Sequence, residues 1–132
     1  MGLYQERVID PRIRACYNAT GSTILKGSIM KLVAAATVPG QVQPAAAATD
    51  PFIGIAMADI ADKTFGDMQT DGVAVVLAGA TVAVGANVTS DAAGKGTTAA
   101  SGNAIIGVAQ TDGVNNGYME VALGLPGGEA NN

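Results

Sequence analysis

Residue types that carry enzyme chemistry are scarce in this chain of 132 residues, which has no histidine and one cysteine, Cys16. The missing histidine excludes Ser-His-Asp and Cys-His catalysis, and it removes the commonest metal ligand and neutral-pH proton carrier. One cysteine can form neither an internal disulfide nor a cysteine-based zinc site, so we expect Cys16 to be a buried apolar residue. The composition favours a protein that is not an enzyme and has no cofactor.

An acidic stretch between Asp59 and Asp71 could hold a hard cation such as Ca²⁺ through carboxylates and loop carbonyls. It also contains Asp62 and Asp67, but it lacks the spacing of a calcium-binding loop. Acids in a surface loop are more often simply solvated. We therefore predict no metal site, while cation binding by residues 59–71 stays open.

Lys95 lies between two glycines and could be a modified lysine at a hairpin tip, as in a carrier domain. The flanking residues lack the hydrophobic character that such a domain needs. Gly94-Lys95 also resembles part of a phosphate-binding loop, but Thr89 stands where that motif needs glycine, and Gly96 stands where it needs serine or threonine. Neither chemistry is favoured.

Charge is unevenly distributed along the chain, whose net charge is −4. Five of the seven basic residues lie within the first 31 positions, and nine of the eleven acids follow them. An acidic body is unsuited to a phosphate backbone, so we expect no nucleic-acid partner. No apolar run reaches the length of a membrane span, and residues 1–10 do not resemble a signal peptide, so we expect no membrane association and no secretion.

Short β-branched runs separated by turn residues predict an all-β fold, a small β-barrel or sandwich. Some runs are apolar on both faces, which indicates burial on both sides or contact with another subunit. Helix signals are nearly absent, because proline and glycine interrupt both alanine clusters. The predicted strands are residues 29–33, 52–56, 73–77, 81–84, 104–109 and 118–123.

An internal repeat predicts a domain built from two similar halves, about 23–79 and 82–124. Asp59 and Asp112 are 53 positions apart, the same offset as that between residues 52–56 and 105–109. Gly54 and Gly107 occupy equivalent positions, where a bulge or a close backbone approach is expected. Three segments recur in the same order, and they are residues 26–31 with 84–89, 52–56 with 105–109, and 72–79 with 117–124.

The repeated pattern, with its Pro-Phe-Ile-Gly-Ile-Ala, Val-Gly-Ala-Asn-Val and Ile-Ile-Gly-Val-Ala segments, resembles the small capsid decoration (cement) proteins of tailed bacteriophages. The resemblance covers about residues 23–125 and is best over 79–123. It implies a β-barrel or β-tulip-like domain whose copies associate on the outside of the capsid, at junctions between major capsid protein subunits. The family has no catalytic residues to transfer to this chain.

Three parts are expected: an extended N-terminal arm (1–21), a β-barrel domain (22–125) and a flexible tail (126–132). Tyrosine and arginine are enriched in interface cores, so the arm is a candidate for docking to a capsid subunit or a neighbouring copy. Its basic side chains could equally be ordinary solvated groups. The candidate docking residues are Tyr4, Arg7, Arg12, Arg14 and Tyr17.

The expected function is that of a virion structural protein that binds the outer capsid surface and stabilises contacts between major capsid protein subunits. Its expected partners are the major capsid protein and itself, as a homotrimer first and a homodimer second. It would be made in the host cytoplasm and act in the virion. The alternative is a non-catalytic β-barrel module that binds carbohydrate or another surface, although 4% aromatic residues and no tryptophan equip it poorly.

Overall fold

The computed structural model describes residues 13–34 and 36–124, and all regular structure within them is β, as predicted. This part of the chain contains no helix long and apolar enough to span a membrane. The strands are β1 (Ile13–Asn18), β2 (Ile29–Leu32), β3 (Gln41–Pro44), β4 (Gly54–Ala56), β5 (Thr64–Gln69), β6 (Val73–Leu77), β7 (Asn87–Ser90), β8 (Gly96–Thr98), β9 (Gly107–Ala109) and β10 (Tyr118–Leu123).

The first five strands close into a barrel in the order β1-β3-β2-β4-β5, and the other five form a sheet in the order β6-β10-β9-β7-β8. The order of neighbouring strands is the same in both units. Starting from the first strand of each, the equivalent strands are β1 and β6, β5 and β10, β4 and β9, β2 and β7, and β3 and β8. The barrel closes where β1 pairs in parallel with β3. In the second unit a single parallel bridge between Ala78 and Gly96 stands at the equivalent place.

The repeat extends to individual hydrogen bonds. The backbone N–H of Gly27 donates to the Ala56 carbonyl at 2.8 Å, and Gly85 donates to Ala109 at 2.8 Å. The bridge between Ile24 and Ile60 recurs between Val82 and Gly113. In each case the first-named residue and its equivalent are 58 positions apart, and the second-named residue and its equivalent are 53 positions apart. These are the same offsets as those between the repeated sequence segments. The duplication is therefore a property of the fold.

The paired aspartates of the repeat have one structural role. Asp59 Oδ1 accepts a hydrogen bond from the Lys26 N–H at 2.8 Å, and Asp112 Oδ1 accepts one from the Val84 N–H at 2.8 Å. Each carboxylate satisfies a loop N–H that no strand pairs, which is a common use of aspartate next to a turn.

The boundaries of the two halves differ from the predicted 23–79 and 82–124. Residues 72–79 and 117–124, matched in the sequence as repeats, contain β6 and β10, which pair antiparallel in one sheet. The topological equivalent of β10 is β5, so the units are residues 13–69 and 73–123. The sequence match misled because both segments are apolar strands flanked by glycine.

The expected arm of residues 1–21 also requires a correction. Residues 13–18 form β1, which pairs with β5 along its whole length. Cys16 and Asn18 point into the barrel and are buried. The Asn18 amide donates to the carbonyls of Ser22 at 2.8 Å and Ile60 at 2.7 Å, so its burial is satisfied. Residues 1–12 and the expected tail, 126–132, lie outside the described residues.

Two cores lie on opposite sides of β2 and β4. Met30 and Ala56 belong to the barrel interior, whereas Ile29 and Ile55 belong to the core of the second sheet. Successive side chains of a strand point to opposite faces, so each strand contributes to both cores. The second apolar face of these strands is therefore covered by the same chain.

The units are also joined through their backbones. The N–H of Leu77, at the end of β6, donates to the Gly27 carbonyl at 2.9 Å, and the N–H of Ile29 donates to the Gly94 carbonyl at 2.7 Å. Gly27 has a φ of +85°, and a Cβ there would lie 2.6 Å from the Leu77 nitrogen. Only glycine fits this close approach without displacing the second sheet.

Equivalent glycines provide a matched test of this packing. A Cβ on Gly107 would overlap the backbone carbonyl of Ala122, whereas one on Gly54 would meet the flexible Met68 side chain at 2.8 Å from its sulfur. We expect Gly107→Ala to lower the free energy of unfolding by about 3 kcal/mol and Gly54→Ala by about 1 kcal/mol. Urea denaturation measures both, and equal effects would contradict the close backbone approach at Gly107.

Candidate docking surface

Two of the five predicted docking residues, Arg14 and Tyr17, lie on β1. Tyr4, Arg7 and Arg12 lie outside the described residues. Arg14 is exposed and Tyr17 is half-buried. Three positions apart on a strand, these two side chains point to opposite faces, so they do not form one cluster.

Tyr17 instead contacts an aromatic residue on the neighbouring strand. β1 and β5 are in register, with Tyr17 opposite Phe65 and Ala15 opposite Asp67. The rings of Tyr17 and Phe65 lie 4.7 Å apart between centroids at 52° to each other. Such a pair contributes about 0.5–1.5 kcal/mol beyond its buried area. We call the outward-facing residues Ile13, Ala15, Tyr17, Phe65 and Asp67 the β1–β5 patch.

Phe65 is the prominent feature of this patch, because 65% of its surface is exposed although it is apolar. The sequence pattern does not predict its place on a strand, because Gly66 and Asp67 interrupt the β pattern of residues 64–69. An exposed aromatic side chain beside a second aromatic ring has the composition of a protein-binding surface.

The barrel interior beneath the patch contains Cys16, which is buried as predicted. Its Sγ donates to the Gly66 carbonyl at 3.5 Å. Burial raises the pKa of the Cys16 thiol, the negative charge of Asp67 raises it further, and the contact with Gly66 opposes both. A thiol held in its neutral form is a poor nucleophile, so Cys16 acts as a core residue.

The acidic stretch is engaged in local hydrogen bonds. Asp59 binds the Lys26 N–H as described above, and Asp62 Oδ1 accepts from the Gly21 N–H at 2.9 Å. Asp67 lies on β5, and Asp71 accepts from the Gly72 N–H at 2.8 Å. Among the described residues, no group of three or more aspartate, glutamate or cysteine side chains is placed so that it could hold a metal ion.

Lys95, the candidate carrier lysine, lies in the turn between β7 and β8. Its Nζ donates to Asn116 Oδ1 at 2.8 Å, and its backbone N–H donates to Asp91 Oδ1 at 3.0 Å. The side chain is therefore tied to the turn before β10, where it has a structural role.

Two comparisons with known proteins find matches to this chain. A family model described as phage cement protein matches residues 18–125. Among solved structures, the head fiber gp8.5 N base of bacteriophage phi29 is similar, with a TM-score of 0.68 and 15% identity over 85% of this chain and 92% of that one. At this identity the likeness concerns the fold. No curated protein sequence matches significantly.

The buried thiol predicts a pH dependence that can be isolated by substitution. Because the folded state holds the Cys16 proton more tightly than the unfolded chain does, this contribution is complete below the ordinary thiol pKa of about 8.5 and is lost as pH rises. We expect the difference in free energy of unfolding between the natural chain and Cys16→Ala to shrink between about pH 7 and pH 10. A constant difference across that range would contradict the raised pKa.

Proposed function

Since the chain belongs to the phage cement protein family, we propose that it binds the outer surface of a phage capsid and stabilises contacts between major capsid protein subunits. Family membership makes it a capsid-associated structural protein of the virion. The family match over residues 18–125, nearly the whole described chain, is the observation that carries the proposal.

The fold is suited to such a role. Both units are built from short strands around apolar cores, and the units share Ile29 and Ile55. Backbone hydrogen bonds join them, so the body can transmit force without the hinge of a linker between domains. A rigid body with exposed apolar side chains can bind across a junction between subunits with little loss of conformational entropy.

The N-terminal arm is the proposed docking element, and we take it to end before Ile13, the first residue of β1. This residue lies opposite Gln69 and belongs to the β1–β5 patch. Residues 1–12 directly precede this patch in the sequence. Arm and patch together offer aromatic rings, and Arg7 and Arg12 offer charge-assisted hydrogen bonds to a carboxylate of a capsid subunit or a neighbouring copy.

Self-association is part of the proposal, with a homotrimer first and a homodimer second. Exposed apolar side chains remain on the surface outside the shared core, among them Leu32, at 54% exposure, and Val114, at 62%. The carbohydrate-binding alternative is disfavoured by the Tyr17–Phe65 pair, because rings tilted at 52° do not form a flat stacking platform.

Deleting residues 2–12 tests the arm. We expect the shortened chain to keep its melting curve, because β1 begins at Ile13, and to lose binding to capsid shells that lack this protein. Size-exclusion chromatography with light scattering measures co-elution and oligomeric state. A chain lacking residues 126–132 is the matched control and should bind normally.

Undiminished binding of the chain without residues 2–12 would contradict docking through the arm. Failure of the full-length chain to bind the shells would contradict the capsid-binding proposal itself.

A further inference from the structure

The duplication repeats the β1–β5 patch on the second unit. Because β1 and β5 correspond to β6 and β10, Tyr17 opposite Phe65 becomes Leu77 opposite Tyr118. The next pair, Ala15 opposite Asp67, becomes Val75 opposite Glu120. We call this second surface the β6–β10 patch. Its exposed residues are Val73, Val75, Tyr118 and Glu120, and Leu77 at its edge is buried.

The two patches are alike in chemistry as well as in position. Each has a largely exposed aromatic side chain, Phe65 at 65% and Tyr118 at 54%. Each has a β-branched residue at the start of its first strand, Ile13 at 37% exposure and Val73 at 54%. Each also has one acid two residues after the aromatic side chain on the same face.

Folding does not require this likeness. Equivalent inward positions must stay apolar because both interiors have to be filled, but exposed positions are free of that requirement. Other exposed equivalents differ, since Lys26 corresponds to Val84 and Ala61 corresponds to Val114. The exposed pair Asp59 and Asp112 matches because each accepts a hydrogen bond from a loop N–H. Similar chemistry at two exposed patches therefore indicates two similar binding tasks.

The acids indicate the charge of the partner. Within the described residues, neither Asp67 nor Glu120 forms an ion pair, and the ion pair found there joins Lys31 to Asp50 at 3.1 Å. Lys26 lies beside the β6–β10 patch, with its Nζ 5.5 Å from the centroid of the Tyr118 ring, but among the described residues it forms no ion pair with Glu120. A carboxylate covered by an apolar contact needs a paired cation, which we assign to the partner. Two patches that each bear an acid would repel one another, so patch-to-patch contact between copies of this chain is disfavoured.

From these observations we propose that the β1–β5 and β6–β10 patches bind two copies of one protein surface, an apolar depression edged by lysine or arginine. The proposal rests on the function proposed above, because a capsid lattice of repeated subunits presents each of its surfaces many times. One chain would then hold two neighbouring capsid subunits at once. The second site binds at a high effective concentration once the first is occupied, so overall affinity exceeds that of either patch.

Substituting the two exposed aromatic residues tests this proposal with the full-length chain. We expect Phe65→Ser and Tyr118→Ser each to weaken binding to capsid shells lacking the protein by about a hundredfold, the lower end of the gain from two linked sites. The double variant should show no detectable binding. Val84→Ser, which removes a similarly exposed apolar side chain (59%) outside both patches, is the matched control and should bind normally.

Sedimentation of a titration series with the shells measures the affinities, and a melting curve for each variant confirms folding. Two docking patches are contradicted if either single variant binds like the natural chain, or if the double variant binds no more weakly than the weaker single one. When the natural chain binds and these variants bind equally well, only this inference fails. When the natural chain does not bind, the capsid-binding proposal fails with it.

Discussion

Ile29 and Ile55 lie on strands of the first barrel but fill the core of the second sheet, and the arrangement of both units depends on this shared burial. Each isoleucine contributes about 1.5–3 kcal/mol by leaving water. The Gly27–Leu77 and Ile29–Gly94 backbone bonds fix the register of the two units. At the place where β1 pairs with β3 to close the first barrel, the second sheet has only a single parallel bridge. The first unit therefore completes the core that the second sheet surrounds.

That constraint distinguishes the two faces of the repeated unit. Faces turned toward the shared core are fixed by packing, whereas the outer faces of β1 with β5 and of β6 with β10 carry exposed side chains that neither core uses. Phe65 and Tyr118 lie on those faces, beyond the cores. Membership of the phage cement protein family gives such faces a context, because a capsid-associated protein must contact a shell made of repeated subunits.

Much of this fold could be predicted from the sequence. The runs at 73–77 and 118–123 are strands with the predicted bounds, and the offset between Asp59 and Asp112 reports a real repeat of loop-capping bonds. β5 escaped prediction because Gly66 and Asp67 mask its alternation, and β1 because Arg14 and Tyr17 gave it the composition of an arm. The docking surface depends on register across strands, which brings Tyr17 to Phe65 and is not visible along the chain.

The most direct test of a capsid-stabilising role is the temperature at which phage shells rupture and release their DNA, measured with and without added protein on shells that lack it. A protein that clamps neighbouring subunits binds the intact shell better than separated subunits, so it must stabilise the shell by linkage. We predict a higher rupture temperature that rises with protein concentration until the sites are filled. An unchanged rupture temperature with the protein bound at saturation would contradict stabilisation.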